Sequence, residues 1–215
     1  MVETGTKSPR ERYRTQVRAE IKERAWEQIA TAGASALSLN AIAKQMGMSG
    51  PALYRYFAAR DELITELIRD AYRSLADTFR AASESGPDHV ALAHALRGWA
   101  LDDPHRYFLI YGTPVPGYHA PDDITAIASE IMTTLLDACT ALASGSPATP
   151  FETHLEGHRQ WADGHPAPPA ALRRALTFWT RMHGVLSLEL AGHFTGMGFD
   201  PALLFAAELD DLPAH

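Results

Sequence analysis

From Tyr13 onward, apolar residues recur at helical spacing: Val17, Ile21, Ala25 and Ile29 form one stripe, with Trp26 beside it. Gly33 is a suitable stop for that helix. Ser38 then reads as the N-cap of a short helix carrying Leu39, Ile42, Ala43 and Met46 and closed at Gly47. Ser49-Gly50-Pro51 opens another short helix, bearing Leu53, Tyr56 and Phe57. Proline there loses no intrahelical bond, because the N–H groups of a first turn have no partner to lose. A long helix is predicted over 61–83, where Leu63, Leu67, Tyr72, Leu75 and Phe79 are apolar. Further helices are predicted over 87–101, 103–112, 121–143, 170–194 and 200–210, with a possible short one over 151–162. Gly- and Pro-rich runs separate them, as in Ser85-Gly86-Pro87 and around 112–117, 144–147 and 164–169. No stretch alternates with the period of a strand, and no internal repeat is present. The expected fold class is all-α, with a flexible basic arm at 1–12, a three-helix head at 13–60 and a helical body at 61–215.

Hydrophobic residues make up 46% and charged residues 21%, ordinary values for a globular protein. Net charge is −7, which by itself argues against a nucleic-acid partner. The distribution reverses that inference. Residues 1–60 carry ten basic and five acidic side chains, or +5, whereas 61–215 carry nine and twenty-one, or −12. A basic head suits phosphates, and an acidic body should be held off them. The single cysteine, Cys139, excludes an internal disulfide and reads as inert core. With no apolar run of membrane-spanning length and no signal peptide, the chain is expected to be soluble and cytoplasmic.

The segment Leu39 to Phe57 reads LNAIAKQMGMSGPALYRYF. Two short helices meet at Gly47, small Ala43 allows a close crossing, and Ile42, Met48 and Leu53 supply a shared miniature core. This is a helix-turn-helix pattern, whose second helix offers its first residues to base edges in the major groove. Gly47-Met48-Ser49, Leu53-Tyr54-x-Tyr56-Phe57 and Arg60-Asp61-Glu62-Leu63 follow one another in a way that strongly resembles the TetR family of bacterial transcriptional regulators. Farther on, Trp179-x-x-x-His183-Gly184 is similar to a C-terminal signature found among these regulators. The resemblance implies a head that reads an operator, and an all-helical body that dimerises and holds a small-molecule pocket. It also implies a repressor released from a palindromic operator by its effector.

On that resemblance, Ser38, Tyr54, Tyr56 and Arg60 are expected to clamp phosphates, with Lys44 adding charge. Arg60 stands where the family commonly has lysine, and Tyr56 where it often has histidine. Ser49, Gly50, Pro51, Ala52 and Arg55 occupy the base-reading face, and Arg55 alone among them can make a bidentate contact to guanine. Arg10, Arg12 and Arg14 could enter the adjacent minor groove or simply be a solvated face.

In the body, Leu172, Leu176, Trp179, Leu186 and Leu190 form one stripe and Leu203, Leu204, Ala207 and Leu209 a shorter one, the expected halves of a homodimer interface. His183 and Phe194 fall on the first of these. Trp99, His105, Tyr107, Phe108, Tyr111, Met132, Leu136, Phe178, Met182 and His183 supply aromatic, flexible and polar-tipped surface for an apolar effector, or else an ordinary core. A rival from another class is a metal-dependent hydrolase using His154-x-x-x-His158, a pair one helical turn apart. The intervening Leu-Glu-Gly matches neither zincin order. A helical protein-interaction module is the other alternative. No nucleotide-binding or nucleophile-elbow motif occurs, and neither a cofactor nor catalysis is expected.

Overall fold

The computed structural model describes residues 8–115, 118, 121–142 and 148–212, and every regular element among them is helical. The elements are α1 (Pro9–Ala32), α2 (Leu39–Gln45), α3 (Gly50–Leu53), α4 (Arg60–Ala82), α5 (His89–Asp102), α6 (Pro104–Tyr111), α7 (Asp122–Thr140), α8 (Pro150–Gly157), α9 (Pro169–Leu190) and α10 (Pro201–Asp210). Single 3-10 turns lie at Ala34–Ala36 and Gln160–Ala162. The chain divides into two compact units, one of residues 1–70 with 108–120, the other of 71–107 with 121–215.

In the first unit α1 begins at Pro9, four residues before the predicted start. The Ser8 hydroxyl accepts the Glu11 N–H at 3.3 Å and the Glu11 carboxylate accepts the Ser8 N–H at 2.7 Å, a capping box with proline at the first position. Arg10 and Arg12 therefore stand on a rigid helix and not in an extended arm. The predicted stripe of Val17, Ile21, Ala25 and Ile29 is buried, against a core of Leu39, Ile42, Ala43, Leu53, Phe57, Leu63 and Leu67. Each large side chain so buried contributes ~1.5–3 kcal/mol. Gly47 turns the chain between α2 and α3 at φ +64°, where a β-carbon would be strained.

In the second unit α9 is the central element, with α5, α7, α8 and α10 packed on it. Leu172, Phe178, Met182 and Leu186 are fully buried along it. It stops at Leu190 and not at 194. Gly192 takes φ +77°, its N–H donates to the Glu189 carbonyl, and the His193 N–H donates to that of Leu188, which closes the helix as a Schellman motif. Phe194 consequently leaves the predicted stripe and packs its ring 5.2 Å from that of Phe199. The predicted helix over 151–162 is in fact α8 followed by the 3-10 turn.

Candidate nucleic-acid interface

The turn from α2 to α3 is built by the backbone: the Met48 N–H reaches the Ala43 carbonyl at 2.8 Å across Gly47. Ser38 caps α2 by accepting the Ala41 N–H at 3.3 Å. Ser49 precedes α3 without a side-chain cap, so its exposed hydroxyl remains available to a partner. The regular helix lasts only to Leu53. Tighter bonds of the i to i+3 kind carry the chain on, Arg55 N–H to Ala52 and Tyr56 N–H to Leu53. Pro51, Tyr54 and Arg55 are exposed, Ala52 and Tyr56 half-buried, and Leu53 and Phe57 wholly buried, as the pattern requires.

Arg18 of α1 holds this short segment in place. Its guanidinium donates to the Tyr56 carbonyl, lies 4.1 Å over the Phe57 ring, and reaches the Glu66 and Glu62 carboxylates of α4 at 3.4 and 3.8 Å. One side chain thus ties together α1, the end of the reading segment and α4.

Electrostatically, the first unit's cations fall into two sets. Arg18, Lys22, Arg24, Arg60 and Arg69 all bind carboxylates or carbonyls. The side chains of Arg10, Arg12, Arg14, Lys44 and Arg55 have no hydrogen bond or ion pair among the described residues. Arg10, Arg14 and Arg55 line one open cleft of about 770 Å³ between the first turns of α1 and the reading segment, together with Glu11, Tyr13, Ala52 and Tyr56. Three guanidiniums against the one carboxylate of Glu11 leave the cleft net positive, a surface that an anion would complete. Tyr13, 65% exposed in that cleft, is a candidate contact that the sequence pattern assigns only to the start of a helix. Its neighbours Arg12 and Arg14 were the available signal.

Arg60 differs from expectation. Its Nε donates to the Leu37 carbonyl at 3.1 Å and its Nη2 to those of Ala34 and Ser35 at 2.8 and 3.3 Å, while Nη1 faces Asp61 at 3.5 Å. Its Nε and Nη2 donors are thus engaged by the connection between α1 and α2, contacts that the expected phosphate clamp does not include. Lys44, by contrast, is exposed.

Comparison with known proteins decides what this head belongs to. Residues 21–67 match the bacterial regulatory proteins of the tetR family, and 89–212 match the tetracyclin repressor-like C-terminal domain. The chain is a member of the TetR family. It is 38% identical to the HTH-type transcriptional regulators Rv1816 of Mycobacterium tuberculosis and Mb1846 of Mycobacterium bovis, covering 97% of this chain and 95% of each of them. The crystal structure of a regulatory protein, SCO4313, superposes with a TM-score of 0.89 at 74% identity, over 97% of this chain and 100% of that one. A protein of unknown function from Rhodococcus sp. RHA1 shares the fold, with a TM-score of 0.66 at 21% identity, over 99% of this chain and 97% of that one. The protein is therefore a DNA-binding transcriptional regulator of the TetR family, which is not a family of enzymes.

Within this TetR-family regulator, the expected effector residues separate by burial. Trp99, Tyr107, Leu136, Phe178 and Met182 are buried and Met132 half-buried, whereas His105 is exposed and is corrected to a surface position. Phe108 and Tyr111 fall with the first unit. The chemistry gathers at His183. The Tyr107 hydroxyl lies 3.0 Å from its Nδ1 and 2.9 Å from the Ser187 hydroxyl, and the Trp179 ring centroid is 4.3 Å from the imidazole. Burial lowers the His183 pKa to about 4, so the ring is neutral, and burial raises that of Tyr107.

Of the expected dimer residues, Leu172, Leu186 and Leu209 are corrected to the unit's own core, because α9 is covered by helices on several sides, α10 among them. Leu176, Trp179, Leu190 and Leu204 are half-buried, and Leu203 and Ala207 exposed. Beside Leu203, exposed apolar surface lies at Leu188, Met197 and Phe199, which the expected interface did not include.

His154 and His158 stack face to face, centroids 4.1 Å apart and 16° between planes, with the Nδ1 of His158 against the His154 carbonyl. Parallel stacked rings do not converge their lone pairs on a metal. Among the described residues no three His, Cys, Asp or Glu gather to hold one. Cys139 is buried as expected, which pushes its thiol up to about 12. Among the described residues no helix is long and apolar enough to cross a membrane.

Proposed function

We propose that the protein is a repressor that binds a palindromic operator as a homodimer and leaves it when a small molecule occupies the second unit. The observation that carries the DNA-reading half is the gathering of Arg10, Arg14 and Arg55, three cations against the one carboxylate of Glu11, around one cleft beside α3. Ser49, Gly50, Pro51, Ala52 and Arg55 then face the bases. Ser38, Lys44, Tyr54 and Tyr56 engage phosphates, and Arg10, Tyr13 and Arg14 extend the contact along the flanking strand. A helical α1 cannot thread the minor groove as a loose arm would, which favours the backbone for these three.

The test begins with a duplex selected by the wild-type protein from a randomised DNA pool. Recovery of a palindrome, with affinity falling steeply with salt, is the expected result. Arg55→Ala should relax preference at one base pair per half-site, worth ~1–3 kcal/mol of discrimination. Tyr54→Phe should weaken all sequences alike. An unchanged selected sequence for Arg55→Ala would remove that residue from the reading face. Deleting the gene should raise transcription beside the matching genomic site, whereas a fall would make the protein an activator.

For the dimer, the exposed apolar set of Leu203 (71%), Met197 (64%), Phe199 and Leu188 supports an interface on α10 and the end of α9. Leu203→Asp should shift sedimentation from dimer to monomer while the helical circular dichroism is retained. For the effector, the neutral His183 with Tyr107 and Ser187 provides a polar handle inside an apolar unit, the pattern of a site for a largely apolar molecule bearing one hydrogen-bonding group.

A further inference from the structure

We infer that Arg60 is a positioning residue, which sets the DNA-facing end of α2 by gripping the connection before it, and is not itself a phosphate ligand. The inference rests on the reading of Ser38 as a DNA contact. Four residues separate Gly33, where α1 ends at φ +78°, from Ser38, where α2 is capped, and Arg60 binds the carbonyls of three of them. From the other side, the Gln28 Oε1 of α1 accepts the Ser38 N–H at 3.0 Å. The connection is thus held at its carbonyls by the first residue of α4 and at its last N–H by α1. Leu37, buried at its end, anchors the same stretch to the core. The hydroxyl of Ser38 is thereby presented at a fixed place beside the N-terminal turn of α2.

The chemistry also explains why arginine, and not lysine, serves here. A planar guanidinium offers several N–H donors in a fixed fork and can serve diverging carbonyls at once, whereas an ammonium is a point donor on a flexible stem. A residue whose task is to neutralise one phosphate needs only the charge. Charge retention and fork retention therefore separate the two roles.

The experiment compares wild type, Arg60→Lys and Arg60→Ala on the duplex that the wild-type protein selects from a randomised pool, with affinity measured across a salt series. Positioning predicts that both variants lose roughly tenfold or more, lysine failing to rescue, with the slope of log affinity against log salt unchanged. A phosphate contact predicts a near-normal Arg60→Lys and a slope reduced by about 0.9 in Arg60→Ala. Either of those results overturns the proposal. Arg60→Lys, the milder change, decides between them if Arg60→Ala does not fold. Ser38→Ala adds a readout that a merely stabilising Arg60 would not move. Its cost in the wild type should disappear in the Arg60→Lys background, and simple additivity of the two changes would contradict the coupling. Amide hydrogen exchange without DNA should accelerate roughly tenfold over 34–39 in both variants, and unchanged protection there also overturns the grip. If the wild type selects no duplex, the DNA-reading assignment fails, while the exchange result still judges the grip of Arg60.

Discussion

Arg18→Ala is expected to destabilise the first unit by about 2–4 kcal/mol and to abolish specific duplex binding. The guanidinium is three-quarters buried and serves four groups, the Tyr56 carbonyl, the Phe57 ring and the Glu62 and Glu66 carboxylates. A cation over an aromatic face contributes ~0.5–2 kcal/mol and a hydrogen bond to a charged donor ~1.5–3 kcal/mol. These terms are not additive, because truncation also removes the cation from Glu62, while Glu66 keeps its pairing with Arg69. Binding suffers more than stability, since α3 has only four regular residues and its continuation through Tyr56 depends on this anchor. Arg18→Lys should recover part of the ion pairing but not the stacked, forked geometry, and so remain impaired on DNA. The measurements are urea unfolding and affinity for the selected duplex. An Arg18→Ala protein of unchanged stability and affinity would mean that the short helix holds itself.

The helices and the helix-turn-helix were legible because the head obeys local rules. Gly47 sits at a turn that needs positive φ, Ala43 at a close crossing, and Val17, Ile21, Ala25 and Ile29 on one face. The capping box of Ser8 and Glu11 with Pro9 is an equally local signal, but it lies within a polar, basic stretch without apolar periodicity, which puts the predicted start of α1 at Tyr13. What periodicity cannot supply is the identity of the neighbour. Leu172 and Leu186 lie on a clear apolar stripe, yet α9 is enclosed on several sides, so the stripe marks burial without saying against which chain. Arg18 and Arg60 look like ordinary helix charges in sequence. Their partners lie 38 and 23–26 residues away, at carbonyls whose availability depends on how the turns close. Tyr13 was hidden for a similar reason, its exposure being set by the cleft beside α3.

Acid is expected to weaken the second unit well above the range in which carboxylates titrate, and His183 is the reason. Its folded pKa is lowered to about 4 from 6.5 because the ring is desolvated among Tyr107, Trp179 and the body of α9. Above pH 6.5 the imidazole is neutral in both states and stability is indifferent to pH. As pH falls through 6.5 the unfolded chain takes up a proton that the folded one refuses. Stability then declines by about 1.4 kcal/mol per pH unit, levelling near pH 4 after a total on the order of 3 kcal/mol. His89 adds to the slope in the same direction, since burial lowers its pKa too. Glu130, held down by Arg73, and Glu152, held down by the Thr149 N–H and Arg173, act lower. Their stabilisation is complete above about 4.5 and is lost as pH falls through their depressed folded values. The window between pH 6.5 and 4.5 therefore isolates the histidines. Urea unfolding of wild type and His183→Asn at pH 7.5, 6.5, 5.5 and 4.5 checks this. The variant should be less stable at pH 7.5, having lost the ring and its bond to the Tyr107 hydroxyl. Between pH 6.5 and 4.5 it should lose about 2 kcal/mol less than the wild type. Parallel pH profiles would show that the ring is protonated as readily in the folded chain as in the unfolded one. In that case the neutral acceptor offered to an effector at this position would not exist.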